Sequence, residues 1–179
     1  MKNKSKVKNG LIIVYTGDGK GKTTAALGLA IRAAGWGDRV AMIQFIKGYK
    51  KTGEWQAIKK LNQIDIYQTN SCNVMAIGEP SKEDKKSVKK ALELARKIIS
   101  EAKHKVIILD EINNALFYDL VEAGEIIKLL KNKPDELTIV LTGRGAPPEI
   151  IEIADLVTEM KNLRHPFDKG VPAKKGIDY

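Results

Sequence analysis

The sequence predicts an α/β fold in which a mainly parallel sheet is covered by helices on both faces. Segments 11–15 (LIIVY) and 106–109 (VIIL) are apolar without alternation, which is typical of strands buried on both faces of a parallel sheet. The predicted strands also alternate along the chain with helical segments, as in successive β–α–β units. Right-handed crossovers then bring the carboxyl ends of the strands to one edge, where ligands bind in such folds.

The segment 11–34 carries the strongest functional motif. A buried strand leads into the glycine-rich sequence TGDGKGKTT at residues 16–24, and an alanine- and leucine-rich helix follows. Gly35 is expected to end this helix. A glycine turn between a strand and a helix places backbone N–H groups, and the positive end of the helix, around a polyphosphate.

This turn is a variant of the phosphate-binding pattern G-x-x-x-x-G-K-[ST]. Gly21, Lys22 and Thr23 fill the end of the pattern, but Thr16 occupies its first glycine position. The loop is therefore effectively one residue tighter than usual. The sequence predicts a P-loop NTPase-like (RecA-like) three-layer fold on this basis.

The loop residues predict the chemistry of the site. Lys22 would reach phosphate oxygens and act in catalysis, and the hydroxyl of Thr23 would bind a Mg²⁺ ion that bridges phosphates. The alternative is a glycine-rich turn with solvated lysines. The nucleotide-binding residues predicted in the loop are Thr16, Gly17, Asp18, Gly19, Lys20, Gly21, Lys22, Thr23 and Thr24.

The rest of the chain continues the alternation of strands and helices. The segment 64–69 alternates apolar and polar residues, so its strand is expected near the sheet edge, and Ser81 with Asp84 resembles a capping box. Further strands are predicted at 39–46, 106–109, 137–141 and 156–160. Helices are predicted at 54–61, from 81 onward, at 122–132 and at 148–154, with a helix or long turn at 112–120.

Charged residues follow two of the predicted strands. Asp110 and Glu111 end one of them, and a Thr-Gly-Arg-Gly sequence that contains Arg144 ends another. Asp110 could hold Mg²⁺ directly or through water. Glu111 could be a second magnesium contact, a ribose contact or a base for water, and we predict it to be catalytic. Arg144 could bind the far end of a polyphosphate. The alternatives are a solvated acidic pair and a surface arginine.

Composition narrows the function classes further. The chain has 179 residues and a formal charge of +9. We expect this positive charge to serve solubility and attraction for a nucleotide rather than nucleic-acid binding. We expect one domain over 1–179, with a flexible basic leader at 1–9 and a polar tail at 161–179. A single cysteine, no secretory signal and no long apolar run predict a cytoplasmic protein without a membrane segment.

The whole chain from about residue 10 to 179 resembles the P-loop ATP:corrinoid adenosyltransferases of cobalamin synthesis and salvage. The loop at 16–26, the sequence QFIKG at 44–48 and the strand-end motifs at 109–111 and 142–145 carry this resemblance. The tail from His165 to Tyr179 serves no generic P-loop purpose and is the most specific part of it.

The resemblance implies a reaction and its partners. Co(I) of a corrinoid would attack the 5′ carbon of ATP, and triphosphate would leave. An electron donor or flavoprotein reductase would supply Co(I), and the enzyme would be a homodimer. The family holds ATP in the reverse sense to most P-loop proteins, which a tightened loop fits.

The resemblance also implies where the corrinoid binds. In the family, aromatic residues in a loop after the third strand exclude the lower axial ligand of the corrinoid. The equivalent stretch 70–77 contains no aromatic residue here, so the apolar side chains of Val74, Met75 and Ile77 could act instead. Phe167 in the tail is a further predicted contact. This departure also fits a paralogue with weak activity or another substrate.

Two alternatives to the transferase remain open from the residues. A P-loop ATPase or kinase would use Glu111 to orient water or a hydroxyl group. A non-catalytic module would carry nucleotide or adenosylcorrinoid to a client protein.

Overall fold

A single parallel sheet forms the centre of the molecule. The computed structural model describes residues 10–46, 52–69 and 80–179. Six strands lie in the order β3-β2-β4-β5-β1-β6, and all neighbours pair in parallel. Their bounds are β1 Ile12–Thr16, β2 Val40–Gln44, β3 Ile64–Gln68, β4 Val106–Asp110, β5 Thr138–Thr142 and β6 Leu156–Glu159.

Helices connect the strands and cover both faces of the sheet. Their bounds are α1 Lys22–Gly35, α2 Gly53–Ile58, α3 Lys82–Ser100, α4 Ile112–Phe117, α5 Ala123–Lys131 and α6 Pro148–Ile153, with a 3₁₀ helix at Pro166–Lys169. The predicted strands are all present, and β3 lies at the sheet edge as its alternating pattern indicated. The segment 112–120, predicted as a helix or long turn, contains the short helix α4.

Two separate apolar clusters show the three layers. Ala26 and Ala30 of α1, with Ile58 of α2, pack on one face of the sheet against Met42 and Ile108. The other face is covered by the apolar residues of α3, α4, α5 and α6, which form the larger cluster. The predicted three-layer arrangement is therefore confirmed.

The helix α3 begins at the predicted capping box. Ser81 Oγ accepts a hydrogen bond from Asp84 N at 3.1 Å, and Ser81 N donates to Asp84 Oδ2 at 2.8 Å. These two bonds satisfy backbone N–H groups that a helix start leaves without partners. The helix then buries Val88, Ala91, Leu92, Ala95 and Ile98 against the sheet.

Each of the six strands ends on a polar residue, and these residues follow one another across the sheet. In sheet order they are Gln68, Gln44, Asp110, Thr142, Thr16 and Glu159. Buried apolar residues precede most of them within their strands, so the change from apolar to polar marks the edge of the core. The fold thus places polar groups along one edge of the sheet.

Some predictions fall where the structure makes no statement. The basic leader at 1–9 and the proposed corrinoid contacts Val74 and Met75 lie outside the described residues. The division of the chain as one domain stays a prediction. Among the described helices, none combines the length and the apolar character that crossing a membrane requires.

Candidate nucleotide-binding site

The glycine loop between β1 and α1 is built for close backbone contact. Gly19 N donates a hydrogen bond to Met160 O at 2.6 Å, which ties the loop to the chain after β6. A Cβ atom on Gly19 would lie 2.7 Å from the same oxygen. Only glycine therefore fits at this position, although the general phosphate-loop pattern leaves it open.

Two lysines of the loop have defined partners. Lys22 Nζ donates hydrogen bonds to Gly17 O at 2.6 Å and to Gly19 O at 2.7 Å, so its ammonium group lies within the curve of the loop. Lys20 forms an ion pair with the Asp178 carboxylate of the C-terminal tail. The loop therefore holds two cations next to its backbone amides, which suits a polyphosphate ligand.

The acidic residues at the end of β4 lie next to the loop. Thr23 Oγ1 donates to Asp110 Oδ1 at 2.9 Å, and Thr142 Oγ1 donates to the same oxygen at 2.8 Å. Glu111 N in turn donates to Thr142 Oγ1 at 3.0 Å. The structure thus brings together Thr23, Asp110 and Glu111, which the sequence predicted to share one site.

Glu111 has an unusual backbone conformation. Its φ angle is 63°, in the left-handed region that residues other than glycine, asparagine and aspartate rarely adopt. It directly precedes α4 and lines the cavity at the loop. Such strain costs about 1–3 kcal/mol. Ala102 and Asp119 also have positive φ angles, but of these three residues Glu111 is the one that lines the cavity, which supports a role for it.

Arg144 reaches the same cavity from the loop after β5. Its side chain is exposed, and its backbone N donates to Asn114 Oδ1 at 2.5 Å. Asn114 belongs to α4, the helix that Glu111 precedes. The loop that carries Arg144 is therefore tied by a hydrogen bond to the helix that follows Glu111.

A cavity of about 470 Å³ lies between these elements, and we refer to it as the nucleotide cavity. Its walls come from the glycine loop, the start of α2, the strand-end motifs and the last four residues of the tail. The lining residues are Asp18, Gly19, Lys20, Gly21, Lys22, Thr23, Thr24, Leu27, Gly53, Glu54, Glu111, Asn114, Arg144, His165, Gly176, Ile177, Asp178 and Tyr179.

Three predicted site residues lie differently from the rest. Thr16 is buried, and its Oγ1 accepts a hydrogen bond from Ala146 N at 3.2 Å, so its side chain connects β1 to the loop after β5. Gly17 lines a neighbouring cavity of about 780 Å³ rather than the nucleotide cavity. Phe167 is 76% exposed and is absent from the walls of the nucleotide cavity described above.

Sequence reasoning missed several residues that complete the site. Gln44 and Thr142 contact Asp110, and Asn114 holds the Arg144 backbone. Gln44 and Thr142 carried a usable signal, because each is the polar residue that ends a buried strand. Asp178 stood in the tail motif that carried the family resemblance, but a tail without a periodic pattern did not predict its contact with the loop.

The donor set at Asp110 fits a magnesium ion. Mg²⁺ is usually held by one or two carboxylates together with phosphate oxygens and water. Thr23 donates its proton to Asp110 and keeps its oxygen lone pairs, and Glu111 is the next residue in the chain. Within the described ranges, no cluster of three or more His, Cys, Asp or Glu side chains suits a metal. Magnesium here would therefore depend on the phosphates of its nucleotide.

Parallel topology, the glycine loop and an acidic residue bonded to the loop threonine together define a P-loop nucleotide-binding protein. The sequence profile of the family described as ATP:corrinoid adenosyltransferase BtuR/CobO/CobP matches residues 8–179. The chain belongs to this ATP:corrinoid adenosyltransferase family. The resemblance noted from the sequence is confirmed, and with it a transferase whose substrates include ATP and a corrinoid.

Individual relatives agree with the family match. A corrinoid adenosyltransferase of Sinorhizobium sp is 39% identical over 178 residues, covering 95% of this chain and 80% of that protein. The corrinoid adenosyltransferase of Escherichia coli K12 is 36% identical, covering 95% of this chain and 86% of that protein. The corrinoid adenosyltransferase CobA of Salmonella typhimurium is also 36% identical, with the same coverage.

A solved structure supports the fold alone. The KaiC-like protein PH0186 of Pyrococcus horikoshii superimposes with a TM-score of 0.54 at 18% sequence identity, covering 84% of this chain and 73% of that chain. The predicted RecA-like fold is therefore confirmed.

Proposed function

We propose that this enzyme transfers the 5′-deoxyadenosyl group of ATP to Co(I) of a corrinoid, in the synthesis or salvage of adenosylcobalamin. The observation that carries the proposal is a family match over residues 8–179 in a chain whose phosphate loop contacts its acidic residue. Cobalt supplies the electron pair for the new Co–C bond. The C5′–O bond breaks, triphosphate leaves with that bonding pair, and Co(I) becomes Co(III).

The leaving group explains why the site is built on a phosphate loop. Triphosphate carries several negative charges, and its charge grows at the bridging oxygen as the C5′–O bond breaks. We propose that the loop amides, Lys20, Lys22 and Arg144 bind these phosphates, with Thr16 to Thr24 as the surrounding loop. Interactions that strengthen in the transition state raise the rate, about tenfold for each 1.4 kcal/mol.

We propose that Thr23, Asp110 and Glu111 hold Mg²⁺ on the triphosphate. The contact between Thr23 and Asp110 and the position of Glu111 at the nucleotide cavity support this assignment. Bound there, the ion would neutralise phosphate charge. Glu111 is also proposed as a catalytic residue, since its strained backbone points to function.

The corrinoid contacts remain proposals based on the family resemblance. Val74, Met75 and Phe167 are the residues we assign to that substrate. An electron donor or flavoprotein reductase for Co(I), a homodimer and a cytoplasmic location complete the proposal. The exposed Phe167 is available to a large substrate or to a partner.

Product analysis tests the proposal directly. The protein is incubated anaerobically with ATP, Mg²⁺ and a chemically reduced corrinoid, and the products are separated. We expect adenosylcorrinoid and triphosphate in equal amounts. ADP and phosphate would instead indicate the ATPase or kinase reaction and would overturn the proposal.

A matched pair of lysine variants shows whether the loop carries the reaction. Lys22→Ala removes the ammonium group within the loop, and we expect about 10- to 150-fold weaker ATP binding with loss of product. Lys131→Ala removes an exposed lysine at the end of α5 and should leave both unchanged. Equal behaviour of the two variants would contradict the assigned role of Lys22.

A further inference from the structure

A chain of side-chain hydrogen bonds runs along the polar ends of four neighbouring strands. Gln44 pairs in register with Gln68 on one side and with Asp110 on the other. Gln68 Nε2 donates to Gln44 Oε1 at 2.6 Å, and Gln44 Nε2 donates to Asp110 Oδ2 at 3.1 Å. Thr142 completes the chain from β5 by donating to Asp110 Oδ1. The chain reaches the acidic residue of the site from the sheet edge.

The direction of these bonds is fixed by the carboxylate. An ionised carboxylate only accepts hydrogen bonds, so Gln44 must turn its NH₂ group toward Asp110. Its carbonyl oxygen then faces Gln68, which must donate. On the other side, Thr142 accepts from Glu111 N and is left with its proton for Asp110. Each side chain therefore has one orientation in which every bond forms.

Among the described residues, Gln44 is placed to act on the site through Asp110. It is 1% exposed, and Asp110 is fully buried. Gln44 is absent from the described walls of the nucleotide cavity, whereas Thr23 lies on them. Thr23 and Thr142 both contact Oδ1, while Gln44 contacts Oδ2. The rotation of the Asp110 carboxylate is thus set from both of its oxygens.

We propose that Gln44 is a positioning residue that orients the Asp110 carboxylate for Mg²⁺–nucleotide binding, and that Gln68 acts on Asp110 through Gln44. The proposal rests on the function proposed above, because it takes Asp110 as the magnesium carboxylate. Losing the Gln44 bond lets the carboxylate rotate and compete for other donors. The cation that it helps to hold is then bound more weakly.

The test uses substitutions to methionine, which is similar in length to glutamine but has no N–H donor. Gln44→Met should raise the Mg²⁺ concentration needed for half-maximal ATP binding by about tenfold, as expected for one bond to a charged group. Gln68→Met should raise it less. Gln63→Met, a matched control just before β3, should leave it unchanged. Calorimetric ATP titrations at several Mg²⁺ concentrations provide the measurement, with Mn²⁺ binding by electron paramagnetic resonance as a second readout.

The double variant shows whether Gln68 acts through Gln44 or whether the two residues affect Mg²⁺ binding independently. If Gln68 acts through Gln44, Gln44→Met/Gln68→Met should behave like Gln44→Met alone. Additive effects would overturn the role of Gln68. An unchanged Mg²⁺ requirement in Gln44→Met, with only a lower Tm, would show a purely structural role and overturn the proposal. If Gln44→Met does not fold, Gln68→Met at the sheet edge carries the same Mg²⁺ test.

These measurements are independent of the reaction assigned to the enzyme. ATP and Mg²⁺ binding need no corrinoid. A failure to form adenosylcorrinoid would therefore contradict the proposed function but would not change the Mg²⁺ requirement measured for Gln44→Met. Conversely, normal product formation with an unchanged Mg²⁺ requirement in Gln44→Met would overturn the positioning role alone.

Discussion

Lys20 of the phosphate loop is paired with Asp178, the residue before the C-terminus. Both side chains line the nucleotide cavity and remain partly exposed, at 44% for Lys20 and 25% for Asp178. Asp178 Oδ2 also accepts a hydrogen bond from Lys174 N at 2.7 Å, which fixes the carboxylate within the tail. The Asp178 carboxylate therefore competes with a phosphate group for the Lys20 ammonium group.

Removing this carboxylate should strengthen nucleotide binding. In Asp178→Asn, Lys20 no longer has a charged competitor for phosphate, and we expect ATP affinity to rise by up to about fivefold, the range of a partly exposed ion pair. Calorimetric titration with Mg²⁺–ATP measures the change. Asp168→Asn, which removes the same charge elsewhere in the tail, should have no such effect. Weaker binding in Asp178→Asn would mean that the carboxylate helps to hold the nucleotide.

Replacing Glu111 should separate activity from stability. Asparagine tolerates the left-handed backbone at this position, so Glu111→Asn should keep the Tm of the parent protein. The shorter amide supplies no carboxylate to the site, and adenosylation should fall by about 10- to 100-fold. Glu122→Asn, at the start of α5, is the control and should keep both. Full activity in Glu111→Asn would refute a catalytic or metal-binding role.

Two glycines should respond in opposite ways to alanine. At Gly143, with a φ angle of +130°, a Cβ atom would lie 2.6 Å from Asn114 Oδ1, so Gly143→Ala should destabilise the protein by about 1–3 kcal/mol. At Gly28, inside α1, a Cβ atom would meet nothing within 4 Å. Gly28→Ala should therefore stabilise by about 0.5–1 kcal/mol. Urea unfolding measures both, and a loss of stability in Gly28→Ala would contradict the helix argument.

Asp65 on β3 should make stability fall in acid. His104 Nε2 lies 2.9 Å from its Oδ2, and Arg39 donates to the same oxygen at 2.7 Å. Burial alone would raise the pKa of Asp65, but the hydrogen bonds from His104 and Arg39 outweigh it and lower the pKa below its usual value of 3.8. A lowered folded pKa stabilises the protein above about pH 4, and this contribution is lost as the pH falls through the folded pKa.

The measurement compares urea unfolding at pH 7 and pH 3. The free energy of unfolding of Asp65→Asn should be lower than that of the parent protein at pH 7. It should also fall less than that of the parent between pH 7 and pH 3. Asp135→Asn, an exposed control, should follow the parent protein at both values. If Asp65→Asn and the parent lose equal stability, the Asp65 cluster does not contribute to the acid response.

The sequence predicted those elements in which one physical property of the residues decides the structure. Apolar runs without alternation identified the central strands, and the alternation at 64–69 placed β3 at an edge. The loop residues and the acidic pair were predictable because strand ends in a parallel sheet converge. The role of Asn114 was not predictable, since it depends on a turn of α4 that faces the loop after β5. The position of the tail was not predictable either, because it depends on one ion pair between residues far apart in sequence.

The internal bonds of the phosphate loop have a consequence for selectivity. Lys22 holds two loop carbonyls, Lys20 holds a tail carboxylate, and the Gly19 amide holds the Met160 carbonyl. An anion that binds any of these three groups therefore displaces an existing bond. A lone phosphate ion replaces too few of them to compete, whereas a triphosphate replaces several together. We therefore expect the loop to favour a triphosphate over a single phosphate ion.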